Sequence, residues 1–458
     1  MATELRETEV VVVGAGPVGL MLAGELRLAG ADVIVLEELT EPMTDSRASQ
    51  LNARTMEVFD QRGLLDILDR PEPEKGGHFG GIPLAVDGLD SVHSGYWKIP
   101  QYRTEAALWT WADKLGVTLL RGHRLTGLDE HADSIEAIAG PLRVRARYLV
   151  GCDGENSTVR QLAGFEFAGK DATKELLRAD VSGVDIPNRR FERLDNGLAI
   201  AATRGGVTRV MMHPFGAPAR DRDAAPAFDE ITRTWAGITG EDISGGQPVW
   251  TDAFDNTTRQ ATEYRRGRVL LAGDAAHRMM PVGGQALNIG VQDAVNLGWK
   301  LAAELRGLAL LDSYHDERHP VDARVLANVE AQALLLLGDQ RSDAARSVFT
   351  ELLRMETVRR HLGELVSGLD VRYDVGPGDH PLLGARMPHC AQELRDGRGV
   401  LFAPDPGEFV AAVVNRVDIV PGTTPALVRP DGHIAWIDGT RADLHAALDR
   451  WFGPPQAA

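Results

Sequence analysis

The 458-residue chain has two cysteines, Cys152 and Cys390, too few for a disulfide framework or a cysteine-rich zinc or iron–sulfur site, and no metal site is expected. Basic residues are outnumbered. Lys and Arg total 49 against 66 Asp and Glu, a formal net charge of −17, which speaks against binding nucleic acid or anionic lipid through a general basic field. No apolar run approaches the roughly 20 residues of a membrane span; Val10–Val13 and Leu334–Leu337 are typical of the longest. The first nine residues are polar and acidic where a secretory leader needs a basic and then an apolar run, so a soluble cytoplasmic protein is expected. Apolar residues at 43% and charged residues at 25% exclude disordered, collagen-like and coiled-coil classes. The length suits two to three domains.

What is present begins with Val10–Val13, a β-branched run suited to a strand buried on both faces of a parallel sheet. Gly14-Ala-Gly16-Pro17-Val-Gly19 follows and leads into an apolar helical pattern, the strand, glycine loop and helix order of a dinucleotide-binding unit. Gly14 allows the tight turn, Gly16 lets backbone approach a pyrophosphate, and Gly19 lets helix pack on strand. A second strand, Ala31–Leu36, ends in Glu37, 23 residues after Gly14, near the spacing of a carboxylate that grips ribose hydroxyls. This motif does not separate NAD from FAD. There is no second G-x-G-x-x-G; Gly76–Gly81 has the wrong spacing and reads as a loop.

Two later segments are informative. Tyr148–Gly151 reads as a strand running into Cys152-Asp153-Gly154, with Asp153 and Ser157 placed to cap the next helix. Gly267–Ala272 is a further strand, followed by Gly273-Asp274 and by Pro281-Val-Gly283-Gly284-Gln285-Ala286-Leu287-Asn288 at the start of an apolar helical face. Such a helix N-terminus favours negative charge on the N1–C2=O edge of a reduced isoalloxazine, and Asp274 is placed to accept from a ribityl hydroxyl.

Together, Gly14/Gly16/Gly19, Asp153-Gly154 and Gly273-Asp274 with Pro281 and Gly283-Gly284-Gln285 resemble the three fingerprints of the FAD-dependent aromatic hydroxylases, the p-hydroxybenzoate hydroxylase-like family. The segments 53–63, 77–81, 262–268 and 292–300 are similar to its aromatic-polyketide branch, which includes angucycline and anthracycline oxygenases. The resemblance covers essentially the whole chain. It implies an α/β multidomain fold. A Rossmann-like FAD-binding domain would come from 1–71, 100–170 and 263–375, a β-sheet substrate domain from 72–99 and 171–262, and a thioredoxin-like tail from 376–458.

The resemblance places Arg47 beside the flavin, Gln101 in contact with it, and Leu125, on a strand from Gly122, near the adenine. Arg47 and Pro281 would govern flavin positioning, with no side-chain acid or base assured. Cofactor contacts would further involve Pro17, Glu37 and Glu38. Two positions depart from the pattern: Glu38 stands where a basic residue is common, and Ala286 where glycine is usual, so its methyl is expected to crowd the flavin or force another backbone angle.

Between the motifs, 197–204 and 207–213 flank Gly205-Gly206, a hairpin signal for an antiparallel sheet on which a planar ligand lies. Phe79, Tyr96, Trp97, Met211, His213 and Met280 are the candidate substrate residues, the methionines as adaptable lining for a polycycle. Core packing is an equal reading for each methionine, and a structural role is the stronger reading for His213 and His277. Residues 317–337 read as helical after Pro320, and Asp431-Gly432 as a hairpin turn in the tail. The lone Cys390, without a C-x-x-C motif, argues against redox work there.

The family route is reduction of FAD by NADPH or NADH, capture of O2 as a flavin C4a-hydroperoxide, and hydroxylation of a polycyclic aromatic polyketide in antibiotic biosynthesis. Two alternatives stand beside it. One is Baeyer–Villiger insertion beside a ketone. The other is a non-catalytic, flavin-poor pathway protein, suggested by Glu38 and Ala286. The chain is expected to act as a monomer or homodimer.

Overall fold

Val10–Val13 is buried because it has a parallel neighbour on each side, Val33–Glu37 and Tyr148–Gly151, and also packs against the helix Pro17–Leu28 and against the strand Leu142–Ala146 of a second sheet. The computed structural model describes residues 4–44, 49–409 and 416–454. Arg47 lies outside the described residues. The central sheet has six strands in the order Arg265–Arg266, Val269–Leu271, Tyr148–Gly151, Val10–Val13, Val33–Glu37, Thr118–Arg121. Only the edge strand Arg265–Arg266 is antiparallel, so the helix-connected parallel strands end on one side and leave their loops together there.

The helices Pro17–Leu28 and Gln285–Leu305 press together beside that sheet. Gly298 permits the approach: a Cβ there would sit 2.4 Å from the Glu25 Cβ. The helix Asp312–Leu337 follows, and Pro320 lies within it, eight residues after its start, so the helix begins earlier than the sequence reading placed it. The tail ends in the helix Arg441–Phe452, and the hairpin turn at Asp431-Gly432 forms as expected.

A separate five-stranded antiparallel sheet runs Arg189–Leu194, Gly197–Arg204, Val207–Pro214, Glu175–Ser182, Gln247–Asp255. The hairpin through Gly205-Gly206 pairs Arg204 with Val207 as its glycines indicate. Strand alternation sorts its faces. Leu177, Ala179, Val210 and Met212 pack under the helix Phe228–Thr239, while Leu176, Leu198 and the half-buried Ile200, Met211 and Phe254 join a cluster with Met279, Met280 and Ile289. Gly76–Gly81 is not a loop: Gly76–Phe79 and Ile82–Ala85 form a hairpin turning at Gly80-Gly81, both with positive φ.

The tail holds a mixed four-stranded sheet, Asp418–Pro421, Val400–Ala403, Ala426–Val428, Ile434–Ile437. Buried charges bolt it to the rest. Arg429 grips Glu317 at 2.6 and 2.8 Å, Lys300 reaches the same carboxylate at 2.7 Å, and Arg62 pairs with Glu25 while donating to the Leu394 and Pro430 carbonyls. Both cysteines are free and buried, and burial pushes the Cys390 thiol up to about 12, which makes it unreactive.

Candidate functional site

The three glycines of the first loop meet different neighbours. At Gly14, φ is +103° and a Cβ would lie 2.4 Å from the Cys152 carbonyl oxygen; at Gly19 it would lie 1.9 Å from the Gly14 oxygen. At Gly16 it would meet nothing within 4 Å. Gly16 is the N-cap of Pro17–Leu28, with no side chain capping it, so the helix's first N–H groups face open space. Glu37 ends the neighbouring strand with its carboxylate accepting the Ala15 N–H at 2.7 Å and the Leu39 N–H at 2.9 Å, which ties the loop to the strand end. Glu38 is exposed and lies 3.6 Å from Arg124. The expected strand through Leu125 stops at Arg121, and Leu125 is buried in the core of the central sheet.

Asp153 accepts the Ser157 hydroxyl and the Val159 N–H at 3.0 Å, while Ser157 caps the Arg160 N–H at 2.9 Å, starting the helix Thr158–Leu162 as its residue types predict. Gly154, at φ +79°, has nothing within 4 Å of where a Cβ would stand.

Gly273-Asp274 form a short turn at the end of Val269–Leu271. The Asp274 side chain is open to solvent yet ringed by protein, the condition of a group on a cleft floor; desolvation there raises its pKa. Below it is a buried charge cluster that sequence reasoning missed. Asp293 accepts from the Gly273 N–H at 3.0 Å, from His277 Nε2 at 2.8 Å and from Arg318 at 2.7 Å. Arg318 also donates to Asp322 at 2.8 Å and to the Tyr373 hydroxyl at 3.1 Å, and the Tyr264 hydroxyl donates to Asp322 at 2.9 Å. Burial opposes charge on His277, but Asp322 and Asp293 outweigh it and lift its pKa to about 9; burial holds Asp322 up at about 7. Ligand atoms of His277, Asp293 and Asp322 lie within 4.8 Å of one another, but Arg318 already supplies the cation between the carboxylates. No sequence signal marked it, since His277 lies on a short strand and Arg318 and Asp322 sit among other charged residues at the start of Asp312–Leu337.

Gly283 and Gly284 both take positive φ, and Gly284 caps Gln285–Leu305 without a side-chain bond. Their loop is held from outside. Gln50 Nε2 donates to the Gly283 carbonyl at 2.7 Å, Asn288 donates to the Gln50 and Gly284 carbonyls, and the Asn52 N–H donates to Asn288. Lys98 in turn donates to Gln50. Gln285 points away, to the Val366 carbonyl at 2.9 Å, so it anchors the loop. Ala286 does not take the strained angle expected of it: it is helical, with φ outside the positive range, and its methyl packs with the Met279/Met280 cluster. Leu287 is half-buried beside it, and Pro281 is exposed. Gln101 begins the helix Gln101–Lys114, donating to Glu105 at 2.8 Å.

The candidate substrate residues divide. Met211 lies on the sheet face turned to the Met279/Met280 cluster, and Met280 borders a cavity of about 240 Å³ between Lys170–Lys174, Asn256–Thr258 and Val329–Leu334. Phe79 and Tyr96 do not line it. They are buried with Leu335, Leu353 and Val366, Phe79 stacking on Phe349 at 5.8 Å, because the hairpin needs an apolar seat against the later helices. Trp97 packs into the central-sheet core, its indole donating to the His93 carbonyl. His213 is wholly buried, bonded through Nδ1 to the Glu175 carbonyl at 2.8 Å, and burial lowers its pKa so it stays neutral. Ile200 and Phe254, half-buried on the same face as Met211, were not singled out from sequence.

An open Gly16, two uncapped helix N-termini and a carboxylate on a cleft floor fit a pyrophosphate, a ring edge that gains negative charge, and a polyol chain, the parts of FAD. Residues 7–329 match the FAD binding domain family, and 380–455 the aromatic-ring hydroxylase C-terminal family. Rifampicin monooxygenase of Streptomyces venezuelae is 41% identical, the alignment covering 98% of this chain and 99% of that one. The 12-dehydrotetracycline 5-monooxygenase/anhydrotetracycline 6-monooxygenase of Streptomyces rimosus is likewise 41% identical, over 98% and 99%. The crystal structure of CabE, an aromatic hydroxylase from angucycline biosynthesis, superposes with a TM-score of 0.94 at 46% identity, covering 98% of this chain and 100% of that chain.

Proposed function

The chain belongs to the FAD-dependent aromatic-ring hydroxylases and is a flavin-dependent monooxygenase; from that premise we propose that it hydroxylates a polycyclic aromatic polyketide in antibiotic biosynthesis, using NADPH or NADH and O2. The observation that carries this reading is the apolar patch on one face of the five-stranded sheet, where Ile200, Met211 and Phe254 cluster with Met279, Met280 and Ala286 at the head of the helix Gln285–Leu305. A flat, apolar ligand matches that surface.

FAD, when bound, supplies the electron storage and oxygen activation that side chains lack. Gly16 and the N-terminus of Pro17–Leu28 would hold its pyrophosphate, Glu37 would take the ribose, and Asp274 would take the ribityl chain. Gly283, Gly284 and the N-terminus of Gln285–Leu305 favour negative charge at the ring edge. Gln50 and Asn288 fix that loop, and Asp293 fixes the Gly273 turn. The methionines and Phe254 exclude water, and Arg47 and Pro281 position the ring. The tail is read as a thioredoxin-like module without redox work, its cysteine being buried. The case for a flavin-poor protein weakens because Ala286 is unstrained and Glu38 already has Arg124 beside it. Among the described residues no helix is long and apolar enough to cross a membrane.

The test is NADPH oxidation and O2 uptake by the holoprotein with and without a tetracyclic naphthacene or angucyclinone phenol. Stimulation by the phenol with little H2O2 release is expected. No stimulation across several such phenols would remove the aromatic-hydroxylase reading.

A further inference from the structure

The substrate-domain insert, residues 72–99 and 171–262, meets the flavin loop at Gly283-Gly284 through Lys98, one of six lysines in the chain. Its strand pairs with Gln50, its ammonium donates to the Gln50 side chain, and Gln50 holds the Gly283 carbonyl, so a half-buried cation stands two hydrogen bonds from the loop. The charged groups that act on it, Glu74, Arg190 and Arg204, all come from the insert, and it acts in turn on His78. Glu74 is taken by Arg204 at 3.3 Å. Among the described residues no carboxylate oxygen lies within 4.0 Å of Lys98 or Arg190. Arg190 is exposed and spends one donor on the Gly76 carbonyl at 2.8 Å.

His78 adds no compensating charge. Its ring lies 4.1 Å from that of Phe191, its Nδ1 accepts the Gly81 N–H at 3.2 Å, and burial, then Lys98 and Arg190, push its pKa down to about 3. Three cations therefore face one carboxylate, in a chain with net charge −17. A half-buried ammonium with no carboxylate in contact is costly, and desolvation, only partly offset by Glu74, lowers the Lys98 pKa accordingly. Such a group persists where a ligand completes its charge.

We propose that Lys98, with Arg190, forms an oxyanion-recognition site where the insert meets the flavin loop, taking either an ionised phenolic or enolic oxygen of the aromatic substrate or a phosphate of the nicotinamide dinucleotide. The choice of these two sources rests on the hydroxylase reading above; the site itself does not. With a phenol, binding releases the hydroxyl proton to solvent and leaves the negative oxygen against the ammonium, which makes the ring more electron-rich.

The experiment uses oxidised holoenzyme without turnover. The dissociation constant of 1,8-dihydroxyanthraquinone is read from its visible phenolate band, and that of NADPH from a binding titration, for wild type, Lys98→Met, Lys98→Arg and Arg190→Met. A loss of about tenfold in dye affinity in Lys98→Met, largely restored in Lys98→Arg, supports the site with substrate as its source. A similar loss for NADPH with dye binding unchanged supports it with phosphate as the source. If both affinities stay within about twofold of wild type in Lys98→Met and Arg190→Met, at normal FAD content and thermal midpoint, the proposal is overturned. Should Lys98→Met lose FAD, Arg190→Met carries the test, its side chain being exposed and hydrogen-bonded to the Gly76 carbonyl rather than to Gln50, which holds the loop. Because nothing here depends on turnover, a failed hydroxylase assay and a failed oxyanion site give different results.

Discussion

Gly16→Ala separates folding from cofactor binding. The Gly16 backbone is extended, φ −71° and ψ −179°, which alanine adopts freely, and a Cβ there meets no protein atom within 4 Å. The apoprotein should keep its stability to within about 0.5 kcal/mol, the loss of a good N-cap residue and the gain from a stiffer unfolded chain nearly cancelling. The methyl instead fills the space through which a pyrophosphate reaches the N–H groups of Pro17–Leu28. Losing one to two hydrogen bonds to a charged group, each about 1.5–3 kcal/mol, gives about 3 kcal/mol, or a fall of roughly 100-fold in FAD affinity. Titrating apoprotein with FAD by flavin fluorescence, beside urea unfolding of both apoproteins, reads the two quantities. Gly19→Ala is the control: its Cβ would lie 1.9 Å from the Gly14 oxygen, so it should fail to fold properly. Unchanged FAD affinity in Gly16→Ala would refute the assignment of this loop to the pyrophosphate.

Three other outcomes follow from the packing. Arg318→Met strands the buried carboxylates of Asp293 and Asp322 and should cost about 3–5 kcal/mol in urea unfolding, with FAD released more easily because Asp293 holds the Gly273 turn. The His277 pKa is raised from 6.5 to about 9, so its stabilisation is fully present below pH 6.5 and lost as pH rises through about 9. The stability gap between wild type and His277→Gln should therefore shrink by about 3 kcal/mol from pH 6 to pH 10. Lys300, pushed down to about 8, works the other way, but both proteins share it and the difference removes it. Phe79→Ala should lower stability by about 3–5 kcal/mol while leaving the affinity for a polycyclic phenol unchanged, since Phe79 packs on Phe349 away from the sheet face.

The cofactor cradle was legible because its chemistry is local. The Gly14–Gly19 loop, the Asp153/Ser157 cap and the Gly283-Gly284 helix start each need a short run of residue types at fixed spacing, and each forms where that spacing put it. The substrate face was harder. Phe79, Tyr96 and Trp97 look like ligand-stacking aromatics, and only the tertiary arrangement shows that two seat a hairpin and the third fills the central core. Ile200 and Phe254 are ordinary strand residues whose exposure depends on what the opposite helix covers. The cluster of His277, Asp293, Arg318 and Asp322 joins residues up to 45 positions apart and has no sequence signature. Ala286 shows the reverse error: a departure from a motif suggested strain, but the helix begins one residue earlier and gives alanine an ordinary backbone.

The central claim, that the holoenzyme inserts one atom of O2 into an aromatic ring that would lie on the Ile200/Met211/Phe254 face, is tested most directly by isotope. Holoenzyme, NADPH and a tetracyclic phenol that stimulates turnover are incubated under 18O2, and the product is analysed by mass spectrometry and NMR. The account predicts one 18O atom per product, located in a new phenolic hydroxyl, with H2O2 a minor product. Label in a ring-expanded ester, or NADPH consumed entirely to H2O2 with no labelled product, would contradict it.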